Sequence, residues 1–129
     1  MLSLLRRRLT TGIATTRYPA VSEPPPQAFR GMPALVDANC RGDGACADVC
    51  PTAAIRVTPL AGLVPGHDGW TWRLDRAACT ACGLCIAVCP HAALLVSPAF
   101  ELAAGTRADL IETVHFNPPA GLGPKGSTP

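Results

Sequence analysis

The chain has 129 residues, a length that fits one small domain with little room for a second. Gly (12) and Pro (14) make up a fifth of it, and only two Trp, one Tyr and three Phe are present, so the core must be thin and in need of a staple. A net charge of +2 is too mild to argue for nucleic acid, and no apolar run reaches the ~20 residues of a membrane span.

Residues 1–16 contain no acid, and Leu2, Leu5, Leu9 and Ile13 fall on one helical stripe with Arg7 and Arg8 off it. This predicts a basic amphipathic helix ending near Thr11, within a docking segment of residues 1–18 that meets a membrane or a partner subunit. A solvated tail and a mitochondrial transit peptide are the competing readings of the same composition. Residues 19–33 read as an extended linker, stiffened by Pro24-Pro25-Pro26 and anchored by Phe29-Arg30-Gly31. The folded domain is expected over 34–104.

The first cysteine loop runs Cys40-Arg-Gly-Asp43-Gly44-Ala-Cys46-Ala-Asp-Val-Cys50-Pro51. A short strand is expected within Thr52–Thr58, a turn-rich connection over 59–69, and a half-buried strand over Trp70–Leu74, where apolar and polar residues alternate. The two strands form a hairpin. The Trp rings are read first as ordinary core aromatics, and second as a cover for the second cysteine loop.

The second cysteine loop, Cys79-Thr-Ala-Cys82-Gly-Leu-Cys85-Ile-Ala-Val-Cys89-Pro90, has the C-x2-C-x2-C-x3-C-P spacing of bacterial iron–sulfur proteins. Ala93–Val96 mirrors the first strand. Phe100–Ala104 reads as a turn of helix, residues 105–116 as a short helix with Leu110, Ile111 and Val114 on one side, and 117–129 as a disordered tail.

Seven cysteines in tight clusters fit neither a disulfide framework nor the paired ligands of a zinc site. They fit two iron–sulfur clusters. Three thiolates two residues apart wrap one cube, while the fourth, ahead of a proline, reaches the other. Shifting the chain by 39 residues lays 40–59 onto 79–98 with half the positions identical, Gly44 on Gly83 and Cys50-Pro51 on Cys89-Pro90 among them. Cluster one is therefore assigned Cys40, Asp43, Cys46 and Cys89, and cluster two Cys50, Cys79, Cys82 and Cys85. The fold class follows: a small α+β, two-cluster ferredoxin-like fold with a pseudo-two-fold repeat, short hairpins and short helices, stapled by its clusters.

Asp43 stands where the repeat has Cys82. A carboxylate is the harder ligand and holds iron less firmly in a sulfide cage. Cluster one is then a 4Fe-4S cube with Asp43 or water on one iron, a 3Fe-4S cluster, or absent with Asp43 a plain loop residue. Cluster two is 4Fe-4S. His67 reads as solvated, His91 as a neighbour of cluster one, and no nucleophile–base pair, phosphate loop or carboxylate dyad marks a catalytic site.

The N-terminal segment, Tyr18-Pro19, Phe29-Arg30-Gly31-Met32-Pro33, the two cysteine motifs and Phe100-Glu101-Leu102-Ala103 occur in that order. Over residues 1–104 this resembles the small two-cluster iron–sulfur subunit of formate hydrogenlyase and related membrane-bound nickel–iron hydrogenases. A relative of that family is the two-cluster subunit of respiratory complex I. The seven cysteines match the family ligands position by position, and Asp43 departs from its cysteine. The resemblance implies electron transfer between a donor module and hydrogenase catalytic subunits, peripheral on the cytoplasmic membrane face. A complex I-type subunit carrying electrons toward quinone, a free soluble ferredoxin, and a non-redox protein with structural clusters are the alternatives.

Overall fold

The strand at the centre of the molecule alternates as its sequence demands. In the computed structural model, which describes residues 2–12, 15–60 and 69–118, the first helix α1 spans Leu2–Thr11, and the first strands are β1 (Pro33–Leu35), β2 (Ile55–Pro59) and β3 (Trp70–Asp75). Along β3, Trp72 and Leu74 are 0 % exposed while Arg73 faces solvent. β2 pairs antiparallel with β3, setting Ile55 opposite Leu74 and Val57 opposite Trp72, so one face of the hairpin is apolar.

The other edge of β3 is taken by β5 (Ile111–Phe116), giving a three-stranded sheet in the order β2-β3-β5. This corrects the helix expected over 105–116: one 3-10 turn, Arg107–Leu110, leads directly into a strand. Glu112, Val114 and Phe116 lie opposite Leu74, Trp72 and Trp70, a period of two that the stripe Leu110, Ile111, Val114 concealed. Without β5 the backbone groups along that edge of β3 would lack partners. The pairing is fastened by ion pairs from Arg76 to Glu112 at 2.6 Å and from Arg107 to Asp75 at 2.7 Å. His115 lies on the opposite face, its Nδ1 3.1 Å from the Thr71 hydroxyl.

A second, two-stranded sheet joins the ends of the cysteine region. β1 pairs antiparallel with β4 (Leu94–Val96), Leu35 opposite Leu94. The linker therefore ends earlier than expected. Pro33 already belongs to β1, Met32 accepts the Ser97 N–H at 2.8 Å, and Gly31 is buried against the Ser97 carbonyl. Proline is acceptable as the first residue of a strand, where its missing N–H is not called on.

Phe100–Ala104 forms no helix. Phe100 is instead held in an aromatic trio with Tyr18 (5.8 Å between ring centres) and Phe29 (6.5 Å), and the Tyr18 hydroxyl donates to Glu101. Two single-turn helices, α2 (Ala45–Asp48) and α3 (Leu84–Val88), lie against one another and close the core of Cys46, Ala54, Ile55, Trp72, Leu74, Cys85, Leu94 and Phe116. α1 buries none of its residues, and its leucines face outward. Among the described residues no helix is long and apolar enough to cross a membrane. Ile13, the connection 61–68 with His67, and the tail from 119 lie outside the described residues.

Candidate metal centre

Each cysteine loop turns on a glycine that only a residue without Cβ adopts freely. Gly44 (φ 78°) precedes α2 and Gly83 (φ 79°) precedes α3, so the two loops enter their helical turns the same way. Past each Cys-Pro pair the backbone again enters the left-handed region, now at alanine: Ala53 at φ 51° and Ala92 at φ 48°. That conformation is uncommon for alanine and marks a functional constraint. Its effect is visible one residue on. The Ala54 N–H donates to Cys50 Sγ and the Ala93 N–H to Cys89 Sγ, both at 3.3 Å. Ala81, at φ 51°, donates to Cys79 Sγ at 3.4 Å. Strained backbone is thus held where it aims N–H groups at sulfur.

The thiols fall into two groups. Cys50, Cys79, Cys82 and Cys85 line a single cavity with Ala81 and Gly83. Cys50 comes to it from the first loop, so the chain lends it across. Burial raises the Cys85 thiol above its usual range, the Ile86 N–H works the other way, and the proximity of Cys79, Cys82 and Cys50 adds to the rise. For Cys50 burial is outweighed by the Thr52 hydroxyl and the N–H groups of Thr52, Ala54 and Ile55, which hold its thiol below the usual range.

The second group is Cys40, Asp43, Cys46 and Cys89. Burial raises the Cys40 thiol, the Gly42 N–H opposes it, and the charges of Asp43 and Cys89 reinforce it. Burial pushes the Cys46 thiol up to about 12, with Cys40, Asp43 and Cys85 adding and the Trp72 indole acting in the opposite sense. Cys46 and Cys85 are the two buried cysteines, and both belong to the same core. Asp43 is half-buried, and its Oδ2 lies 3.8 Å from His91 Nε2.

Buried thiols that repel one another's charge at Cys46 and Cys85, beside thiols that receive backbone donors at Cys50, Cys79 and Cys89, fit a site that supplies positive charge. Among the described residues, no three His, Cys, Asp or Glu side chains converge on a single ion. Cys50, Cys79, Cys82 and Cys85 line one cavity, and thiolates around one cavity suit a cube of iron and sulfide bound at its corners.

The aromatics sit differently from the second reading made of them. Trp72 is a core residue, and Trp70 lies on the first loop, where a Cβ at Gly42 would be 3.4 Å from its ring and 3.7 Å from Phe116. Neither ring lines the cavity of Cys50, Cys79, Cys82 and Cys85. Two features escaped the sequence reading: the Asp43–His91 pair as a contact, and the buried indole N–H beside Cys46. The first was signalled only by Cys89-Pro90-His91 carrying His91 toward the other loop.

Residues 39–93 match the family of the 4Fe-4S dicluster domain. The chain is also similar to formate hydrogenlyase subunit 6 of Escherichia coli (strain K12), with 33 % identity over 74 residues, 57 % of this chain. It spans about 40 % of that relative's length. Residues 39–93 hold all seven cysteines, so the matched region is an iron–sulfur, ferredoxin-like one.

Proposed function

We propose that the chain is an electron-transfer iron–sulfur subunit, relaying electrons between a donor module such as a formate dehydrogenase and the catalytic subunits of a membrane-associated nickel–iron hydrogenase. The observation that carries this reading is the sorting of seven cysteines and Asp43 into two groups, each receiving one thiol from the other loop. Cys50, Cys79, Cys82 and Cys85 hold a 4Fe-4S cluster, and Cys40, Cys46 and Cys89, with Asp43, hold a 4Fe-4S or 3Fe-4S cluster. The clusters supply one-electron transfer. The chain's own residues fix their positions, exclude water at Cys46 and Cys85, and direct N–H groups at Cys50, Cys79 and Cys89. Cys82 is exposed, which suits an end of the relay that meets a partner.

α1 supports a subunit over a free carrier, because a diffusing protein gains nothing from an outward apolar stripe beside Arg6, Arg7 and Arg8. In this reading the chain is peripheral on the cytoplasmic membrane face. Anaerobic purification from native membranes, with the co-purifying subunits identified, tests it. Large hydrogenase subunits are the expected companions. Quinone-reductase subunits would move the chain to a complex I-type assembly, and a brown protein recovered alone would make it a soluble ferredoxin.

Electron paramagnetic resonance decides the Asp43 site. A three-iron signal in oxidised protein that survives added ferrous iron identifies 3Fe-4S. Asp43→Cys is expected to abolish any such signal and slow the loss of iron in air, because thiolate replaces the harder ligand.

A further inference from the structure

Arg56 and Arg73 stand directly opposite each other where β2 pairs with β3. Both are exposed, on the face of the sheet turned away from Trp72 and Leu74. Like charges facing each other across two strands are unfavourable. Neither arginine forms an ion pair among the described residues. The two line a pocket of about 290 Å³, and Arg107 joins them there from the turn before β5. The pocket's own carboxylate, Asp75, is already engaged: Arg107 donates to its Oδ2 from Nε at 3.2 Å and from a terminal nitrogen at 2.7 Å. Three guanidiniums thus share a concave place with one carboxylate, a local surplus of positive charge.

The pocket also adjoins a thiol. Its wall includes Thr52, Ala53 and Ala54. The Thr52 hydroxyl lies 3.7 Å from Cys50 Sγ, and the Ala54 N–H donates to that sulfur at 3.3 Å. One short segment therefore both wraps Cys50 and lines the arginine pocket.

We propose that this pocket is a docking surface for an acidic segment of a partner protein, whose carboxylates bind Arg56 and Arg73 and seat the partner against the backbone around Cys50. This rests on the reading of the chain as an electron-transfer subunit with Cys50 a ligand of cluster two. Guanidinium matches carboxylate through paired N–H donors, and Arg107 with Asp75 shows such a pairing inside the pocket itself. A carboxylate entering between Arg56 and Arg73 offsets their repulsion. An acidic protein segment is favoured over a lipid surface because the remaining lining is Thr52 and alanine, which offers a bilayer no large apolar side chain. The leucines beside basic residues that suit a membrane are on α1, another part of the chain. Partner recognition and the cluster-two end of the relay then share one surface.

The probe is a fluorescent decaglutamate peptide, titrated at low salt into the full-length, iron-loaded chain and followed by anisotropy. Arg56→Gln combined with Arg73→Gln is expected to weaken binding about tenfold, through loss of charge-assisted hydrogen bonds. Arg6→Gln, Arg7→Gln and Arg8→Gln together are expected to weaken it far less. Unchanged binding by the double variant, or a loss at least as large in the α1 variant, would overturn the proposal. Should the double variant not load iron, Arg56→Gln alone, on the edge strand of the sheet, gives the same comparison. Vesicles of phosphatidylglycerol in phosphatidylcholine are the second probe. Vesicle binding that falls in the double variant as much as peptide binding does would make the pocket a lipid site and overturn the assignment to a protein partner. Recovery of the chain alone from native membranes would defeat the subunit reading whatever the peptide does, while failure to bind the peptide in a chain recovered with its companions would defeat this inference alone.

Discussion

Gly31 and Gly105 make a controlled pair at the scale of single residues. A Cβ at Gly31 would sit 1.9 Å from the Ser97 carbonyl oxygen, backbone that cannot yield without parting β1 from β4. At Gly105 nothing lies within 4 Å. Gly31→Ala is expected to destabilise by about 1–3 kcal/mol, and Gly105→Ala to leave stability unchanged or slightly raised through the unfolded chain. Loss of visible cluster absorbance on heating checks both. The sequence showed Phe29-Arg30-Gly31 as an anchor, but the atom that Gly31 meets is 66 positions away. Cys79, Cys82 and Cys85 line one cavity for the opposite reason: their spacing is local, and local spacing sets which thiols of one loop face the same way. That the Trp72 N–H is buried without a partner was not legible, since alternation along a strand tells which face a ring occupies and nothing of what its nitrogen meets.

Among the elements, β5 shows why a short apolar run defeats pattern reading. Leu110, Ile111 and Val114 suit a helix as well as a strand, and the decision rests on the open edge of β3, a fact about another part of the chain. The β2–β3 hairpin was legible because Trp70–Leu74 alternates over five residues. Phe116 ends β5 at 6 % exposure, close to Trp70 and the Gly42 position. Phe116→Ala should cost about 3–5 kcal/mol, and it should do so unevenly. Cluster one, whose loop rests on this corner, is expected to bleach under chelator before cluster two, as separate electron paramagnetic resonance signals would reveal.

In the molecule as a whole, the proposed arrangement leaves each cysteine loop incomplete without the other, so metal and fold should be lost together. Cys79→Ser is expected to abolish cluster two and to lower the thermal transition of the entire chain, read by far-ultraviolet circular dichroism. Metal-free protein as stable as the loaded form would contradict this. Deleting residues 1–11 should have the reverse character: full iron content, because α1 buries nothing, with release from the membrane or partner complex. The aromatic trio sets a limit on that docking helix. Tyr18 is fixed to Phe100 and Glu101, and only residues 12–17 separate it from the end of α1 at Thr11. At full stretch such a leash reaches about 25 Å. In the proposed docking role the helix is a mooring on a short rope: its Thr11 end stays within that reach of Tyr18, so the choice of berth also limits how far the clusters ride from it.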